Sequence, residues 1–218
     1  MQYTMKSRNK LIGLLLCVSV ITTMGACTKD KEADEGLDIP KNITIEVGED
    51  YNLNVNQEWT STKDFVALVD GSGKISGSHV GECDILCNKG KCHVTVNPNY
   101  TLYREPLCEN GLTKDYVLSM YGTPYSDNEG TIIYETGQES APYVMYMFEN
   151  GTLKDAAVVV KKTYESSLKK HLNNRYVYIQ YDDGFYQYTN AYTWEEVTKI
   201  VMYRSYNSSY YIVMYMPQ

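Results

Sequence analysis

Runs in which apolar and polar residues alternate, broken every few positions by Gly, Asp or Asn, recur along most of this chain. A period of two commits such runs to strands, because successive strand side chains point to opposite faces. Between residues 39 and 98 the runs are Ile43-Thr44-Ile45-Glu46-Val47, Tyr51-Asn52-Leu53-Asn54-Val55, residues 65–69, Lys74-Ile75-Ser76-Gly77, residues 84–87 and residues 92–96. Gly48-Glu49, Asp70-Gly71-Ser72-Gly73 and Asn88-Lys89-Gly90-Lys91 separate them. Short strands at this spacing predict a small all-β sandwich over residues 39–98.

Beyond Asn97-Pro98-Asn99, a natural boundary, the pattern mixes both periods. Thr113 is placed to cap a helix carrying Val117, Met120 and Tyr121 as its apolar stripe, and Gly122-Thr123-Pro124 ends it. Strands are expected over residues 131–136, 143–149 and 153–162, with Asn150-Gly151 as a hairpin turn. A second cycle follows: a helix over residues 166–173, then strands at 176–181, 185–189, 197–203 and 210–216. A helix starting at Thr193-Trp194-Glu195-Glu196 is the alternative for the third of these. Val-Met-Tyr occurs three times, at Val144, Val201 and Val213. Helix then meander, twice, predicts an α+β domain over residues 99–218, built as two units sharing a sheet. It holds 20 of the 22 tyrosines.

The first module resembles the bacterial immunoglobulin-like group 2 domains. The matching elements are Ile45-x-Val47-Gly48-Glu49, Leu53, Trp59-Thr60-Ser61, Val69-Asp70-x-x-Gly73-Lys74-Ile75-x-Gly77, Gly81, Ile85 and Cys92-x-Val94-x-Val96. The resemblance implies an immunoglobulin-like sandwich, a spacer or adhesion role, and no catalytic residues. In the second module, Asn110-Gly111-Leu112-Thr113-Lys114, Val117, Gly122-x-Pro124 and Phe148-x-Asn150-Gly151-x-Leu153 are similar to small envelope lipoproteins. These share the fold of β-lactamase inhibitor proteins, which implies a protein-binding sheet.

The N-terminus supplies an address. Residues 1–10 hold Lys6, Arg8 and Lys10 and no acid, and residues 11–23 are mostly apolar. This reads as a secretory signal, too short for the ~20 apolar residues of a spanning helix. Met24-Gly25-Ala26-Cys27 resembles the lipobox of bacterial lipoprotein signals, with Met24 where Leu is usual. The resemblance implies a signal peptide over residues 1–26, starting at Met1 or Met5, and lipid on Cys27. An ordinary secretory cut is the alternative. Residues 27–38 are expected to form a flexible acidic tether. Asp30, Glu32, Asp34 and Glu35 resemble the export signal of surface lipoproteins in some Gram-negative anaerobes. An outer-membrane lipoprotein is therefore expected, facing the cell surface in preference to the periplasm.

The whole chain carries 20 Lys plus Arg against 27 Asp plus Glu, and every leader charge is basic, so the mature chain is more acidic still. That argues against nucleic acid and against docking on anionic lipid by charge. Cys87 and Cys92 flank a turn and are expected to oppose each other, as a disulfide or as buried free thiols. The spacing Cys83-x3-Cys87-x4-Cys92-His93 is too wide for a usual zinc site, so no metal or cofactor is expected. His79, His93 and His171 are the only histidines, and His171, beside Lys169 and Lys170, is expected to face solvent. No G-x-S-x-G, H-E-x-x-H or phosphate loop occurs, so catalysis is not expected. Tyr181, Tyr186, Tyr188, Tyr192 and Trp194 form a candidate ligand platform. The expected role is a non-catalytic binding or adhesion protein for glycan or protein. A structural or inhibitory envelope component that binds a periplasmic protein is the alternative.

Overall fold

The computed structural model describes residues 38–54, 57–128 and 130–218. The expected signal peptide, Cys27 and nearly all of the expected tether lie outside the described residues. Among those described the chain is mostly β, with largely antiparallel sheets and two α-helices.

Seven strands precede residue 98: β1 (Asn42–Glu46), β2 (Asp50–Asn52), β3 (Thr60–Ser61), β4 (Ala67–Val69), β5 (Lys74–Gly77), β6 (Gly81–Cys87) and β7 (Gly90–Asn97). They form a four-stranded sheet in the order β1-β7-β6-β3 and a three-stranded sheet in the order β2-β5-β4. β1 runs parallel to β7, the other pairs antiparallel. Alternation decides which side is buried: Ile43 and Ile45 in β1, Cys92, Val94 and Val96 in β7, Cys83 and Ile85 in β6. These meet Ile75, Ala67 and Trp59 in one apolar cluster drawn from both sheets.

The second part begins with α1 (Lys114–Tyr121). Thr113 caps it, its hydroxyl accepting the Tyr116 N–H at 3.2 Å, and Gly122 ends it at φ +75°. Then come β8 (Ser126–Asn128), β9 (Thr131–Glu135), β10 (Tyr143–Glu149) and β11 (Thr152–Lys161). Asn150 and Gly151 both take positive φ, 52° and 80°, the geometry of a tight hairpin matched to strand twist. A short 3-10 turn (Lys162–Tyr164) leads into α2 (Glu165–Asn173). β12 (Val177–Asp182), β13 (Phe185–Thr189), β14 (Lys199–Ser205) and β15 (Tyr210–Pro217) follow. Each helix is thus followed by four strands. All eight join one sheet in the order β12-β13-β14-β15-β11-β10-β9-β8, the two sets meeting where β15 pairs with β11.

Several expectations need correction. The β6–β7 hairpin is tighter than the spacing suggested: Cys87 pairs with Gly90, so Cys92 lies opposite Ile85 and not opposite Cys87. Cys83, Cys87, Cys92 and Cys108 are all free thiols. His171 is fully buried rather than solvent-facing, because it shares the inner face of α2 with Leu168 and Leu172. Met120 is exposed, and Leu118 takes its place against the core beside Val117. Thr193-Trp194-Glu195-Glu196 opens only a 3-10 turn (Trp194–Glu196) before β14.

Candidate functional site

The three Val-Met-Tyr tripeptides define the two faces of the eight-stranded sheet. Register carries one row of paired residues across it. Gln180 pairs with Gln187, Gln187 with Met202, Met202 with Met214, Met214 with Ala157, Ala157 with Met145, and Met145 with Ile133. Directly paired residues share a face. The central methionines of all three tripeptides therefore stand in one line, with only Ala157 between Met214 and Met145. A small side chain on β11 lets the flanking thioethers approach over it.

The flanking Val and Tyr residues point the other way. Tyr146, Tyr203 and Tyr215 are among the largest fully buried side chains. With Val201, Val213 and Val158 they form the core that receives Val117 of α1 and Leu168 and Leu172 of α2. Ala156 lies between Tyr146 and Tyr215 on β11, repeating the small-between-large arrangement on the inner side.

On the outer side, rows flanking the methionine line add Met147, Asp155, Met216 and Ile200 at one end and Tyr143, Val159 and Ile212 at the other. Five of the nine methionines thus stand on this face. Apart from buried Ala157 and Val159, these side chains are only half-buried. Among the described residues, both helices pack on the opposite face. Polar groups lie at the margins: Gln180 donates to Gln187 at 3.1 Å, and the Arg204 guanidinium sits 4.8 Å from the Phe185 ring centre.

The five aromatics singled out in the sequence do not converge. Tyr188 is buried at 3% exposure. Tyr186 stacks on Tyr203 with ring centres 4.5 Å apart, and Tyr181 leans on Tyr186 at 4.7 Å. These three belong to the helix-covered face of the sheet. Tyr192 and Trp194 lie past the other end of β13, where Tyr192 packs edge-on against Phe65 and His79 of the first module. Trp194 is exposed.

A cleft of about 950 Å³ runs between the first module and the β13–β14 connection, with Lys63, Glu82, Tyr192 and Lys199 in its walls and Glu105 at its back. Of the acids lining it, only Glu105 is not exposed. Its Oε2 accepts the Tyr176 hydroxyl at 3.0 Å. Its Oε1 is enclosed and unbonded, 3.8 Å from both His171 Nε2 and Arg175 Nε. Burial pushes the Glu105 carboxyl upward and holds His171 down to about 3. His171 Nδ1 accepts the Leu102 N–H at 3.2 Å, which places the proton of the neutral ring on Nε2, facing Glu105. Arg175 donates to the Tyr100 carbonyl at 3.1 Å and the Thr101 hydroxyl at 2.8 Å. With one oxygen enclosed and the other engaged, Glu105 ties the 99–106 strap to Tyr176, just past α2, and offers the cleft no free base.

No protein-family model and no curated protein matches the chain. Among the described residues no group of His, Cys, Asp or Glu could hold a metal ion, and no helix is long and apolar enough to cross a membrane. The methionine line was the feature hardest to anticipate. The tripeptide repeat was its signal, but only register shows that the three methionines align.

Proposed function

We propose that this chain is a lipid-anchored envelope protein with a non-catalytic binding role. In this reading, lipid on Cys27 holds the chain at the outer membrane. An immunoglobulin-like sandwich over residues 39–98 spaces an α+β head over residues 99–218 from it, and the head engages a protein partner through the open face of its sheet. The single observation that carries the reading is the methionine line with its apolar flanks.

Chemistry favours protein over glycan. The middle of the face consists of thioethers, Ile, Val and Ala; the half-buried Asp155 carboxylate stands beside Met147 on β11, and the other hydrogen-bonding groups lie at the margins. A sugar laid there would lose water from several hydroxyls without replacement, at about 1–3 kcal/mol each. A protein's apolar side chains lose nothing comparable, and methionine adapts to varied shapes. Five strands at ~4.8 Å spacing and about five residues at ~3.3 Å give a patch on the order of 400 Å² in plan. That matches functional apolar patches and a reversible interface rather than an obligate one.

The test is cross-linking capture from cell envelopes with the full lipidated chain. Met202→Asp and Met214→Asp should each lose a partner that wild type and Tyr206→Ala retain, with melting temperatures unchanged within a few degrees. A partner held equally by all four proteins would refute the face as its site. Palmitate labelling that Cys27→Ala leaves undiminished would refute the anchor. Protease shaving of intact cells separates an external partner from a periplasmic one, the setting of a structural or inhibitory component.

A further inference from the structure

The core side of the same sheet contains a pocket that the sheet-face reading does not use. Its volume is about 330 Å³, at the lower end of the range for small-molecule sites. It lies under the 103–106 strap, against Val144 and Tyr146 of β10, Val158 of β11, Tyr134 of β9 and Tyr121 at the end of α1. The three rings of Tyr121, Tyr134 and Tyr146 form a mutual cluster, with centres 5.5, 5.6 and 6.2 Å apart. Arg104, Glu135 and Gln138 stand at the mouth.

The hydroxyls of these tyrosines differ in one respect. Tyr134 donates to the Gly122 carbonyl at 3.1 Å, and Tyr103 bonds Tyr215 at 2.7 Å. The Tyr146 hydroxyl is completely buried and makes no hydrogen bond, although Tyr121 and the Leu107 main chain lie near it. Phenylalanine would fill the same space without leaving a polar atom unpaired. A buried hydroxyl with no internal partner, on the part of the pocket walled by tyrosine rings and valines, is suited to a partner that arrives from outside.

We propose that this pocket binds a small, uncharged aromatic molecule carrying one hydrogen-bonding group, of the phenol or indole class, with Tyr146 as its polar contact. Ring walls accept a ring edge-on or offset-stacked. One unspent hydroxyl matches one polar group. A monosaccharide would fit by size, but it would set several hydroxyls against the rings and against Val144 and Val158, away from the polar groups at the mouth, so it is disfavoured.

The experiment is isothermal titration and thermal shift of the full chain with phenol, indole and methyl glucoside at up to millimolar concentration. Phenol and indole should bind saturably and raise the melting temperature, and the glucoside should do neither. Tyr146→Phe should weaken phenol about tenfold while leaving the unliganded melting temperature unchanged or higher. Val144→Phe, which fills the cavity from its half-buried wall, should abolish binding of both. Absence of phenol and indole binding, equal phenol affinity in wild type and Tyr146→Phe, or tighter binding of the glucoside would each overturn the assignment. None of these outcomes bears on partner capture by Met202→Asp and Met214→Asp, so the two readings fail separately.

Discussion

His171 is neutral because its surroundings leave no room for its charge. The Tyr103 ring lies 4.3 Å away, Arg175 is the nearest cation, and the ring is fully buried. Its proton affinity is held down to about 3 from the usual 6.5, by burial first and by Arg175 second. The sign follows. Below pH 6.5 the unfolded chain takes a proton at His171 that the folded chain refuses. Stability should therefore fall as pH drops from about 6.5 towards 3, by at most ~1.4 kcal/mol per pH unit. Glu105 acts in the opposite sense, since its raised value lets the folded state take a proton earlier. Urea unfolding between pH 7 and 4 should show a steeper loss for wild type than for His171→Gln, and equal slopes would refute the assignment. The inward position of His171 was legible as a stripe: Leu168, His171 and Leu172 recur at helical spacing. Two adjacent lysines suggested solvent instead. They lie over the Tyr186 and Tyr100 rings, each about 5 Å from a ring centre, so charge at Lys169 and Lys170 said nothing about the residue beside them.

At the scale of elements, local pairings were readable and distant ones were not. Asn150-Gly151 and Asp183-Gly184 declare their hairpins, because each turn needs backbone angles those residues adopt readily. The pairing of β15 with β11 joins strands some fifty residues apart in sequence, and no turn specifies it. Without that pairing the Val144 segment stays apart from the Val201 and Val213 segments, which β14 and β15 already bring together. The cysteine register failed for a related reason: a tighter loop than the one assumed between Cys87 and Cys92 shifts every later partner. Close packing in the first module makes a sharper prediction. A Cβ on Gly77 of β5 would stand 2.7 Å from the Glu46 carbonyl oxygen and 3.2 Å from Ile45 and Val96. The obstacle is backbone, so Gly77→Ala should destabilise by about 1–3 kcal/mol, whereas Gly71→Ala, with nothing within 4 Å, should stay within about 0.5 kcal/mol. Denaturant midpoints compare the two directly.

Across the whole molecule, two apolar clusters are joined by a few polar groups around Asn174. The Asn174 carbonyl accepts the Val80 N–H at 2.8 Å, and its side-chain oxygen accepts the Asn99 N–H at 2.9 Å. Asn99 in turn donates from its side chain to the Val47 carbonyl at 2.7 Å. This amide holds the chain where it leaves the first module and where the second module touches it. Asn174→Ala removes the side-chain acceptor of the part-buried Asn99 N–H, costing about 1 kcal/mol. It should also split a single calorimetric transition into two, since the packing of Tyr192 on Phe65 and His79 then carries most of the coupling between the clusters. One unchanged transition in the variant would refute Asn174 as the coupling group.

The methionine line has a chemical consequence. Thioethers are oxidised to sulfoxides by mild peroxide, and reductases reverse the change. Met145, Met202 and Met214 are half-buried and stand in one row, so oxidation would turn an apolar strip into a line of strong dipoles without altering the core beneath. Brief peroxide treatment should abolish partner capture while leaving the melting temperature nearly unchanged, and methionine sulfoxide reductase should restore it. If the proposed binding role holds, a face built this way would carry a record of the oxidants it has met, and the record could be erased.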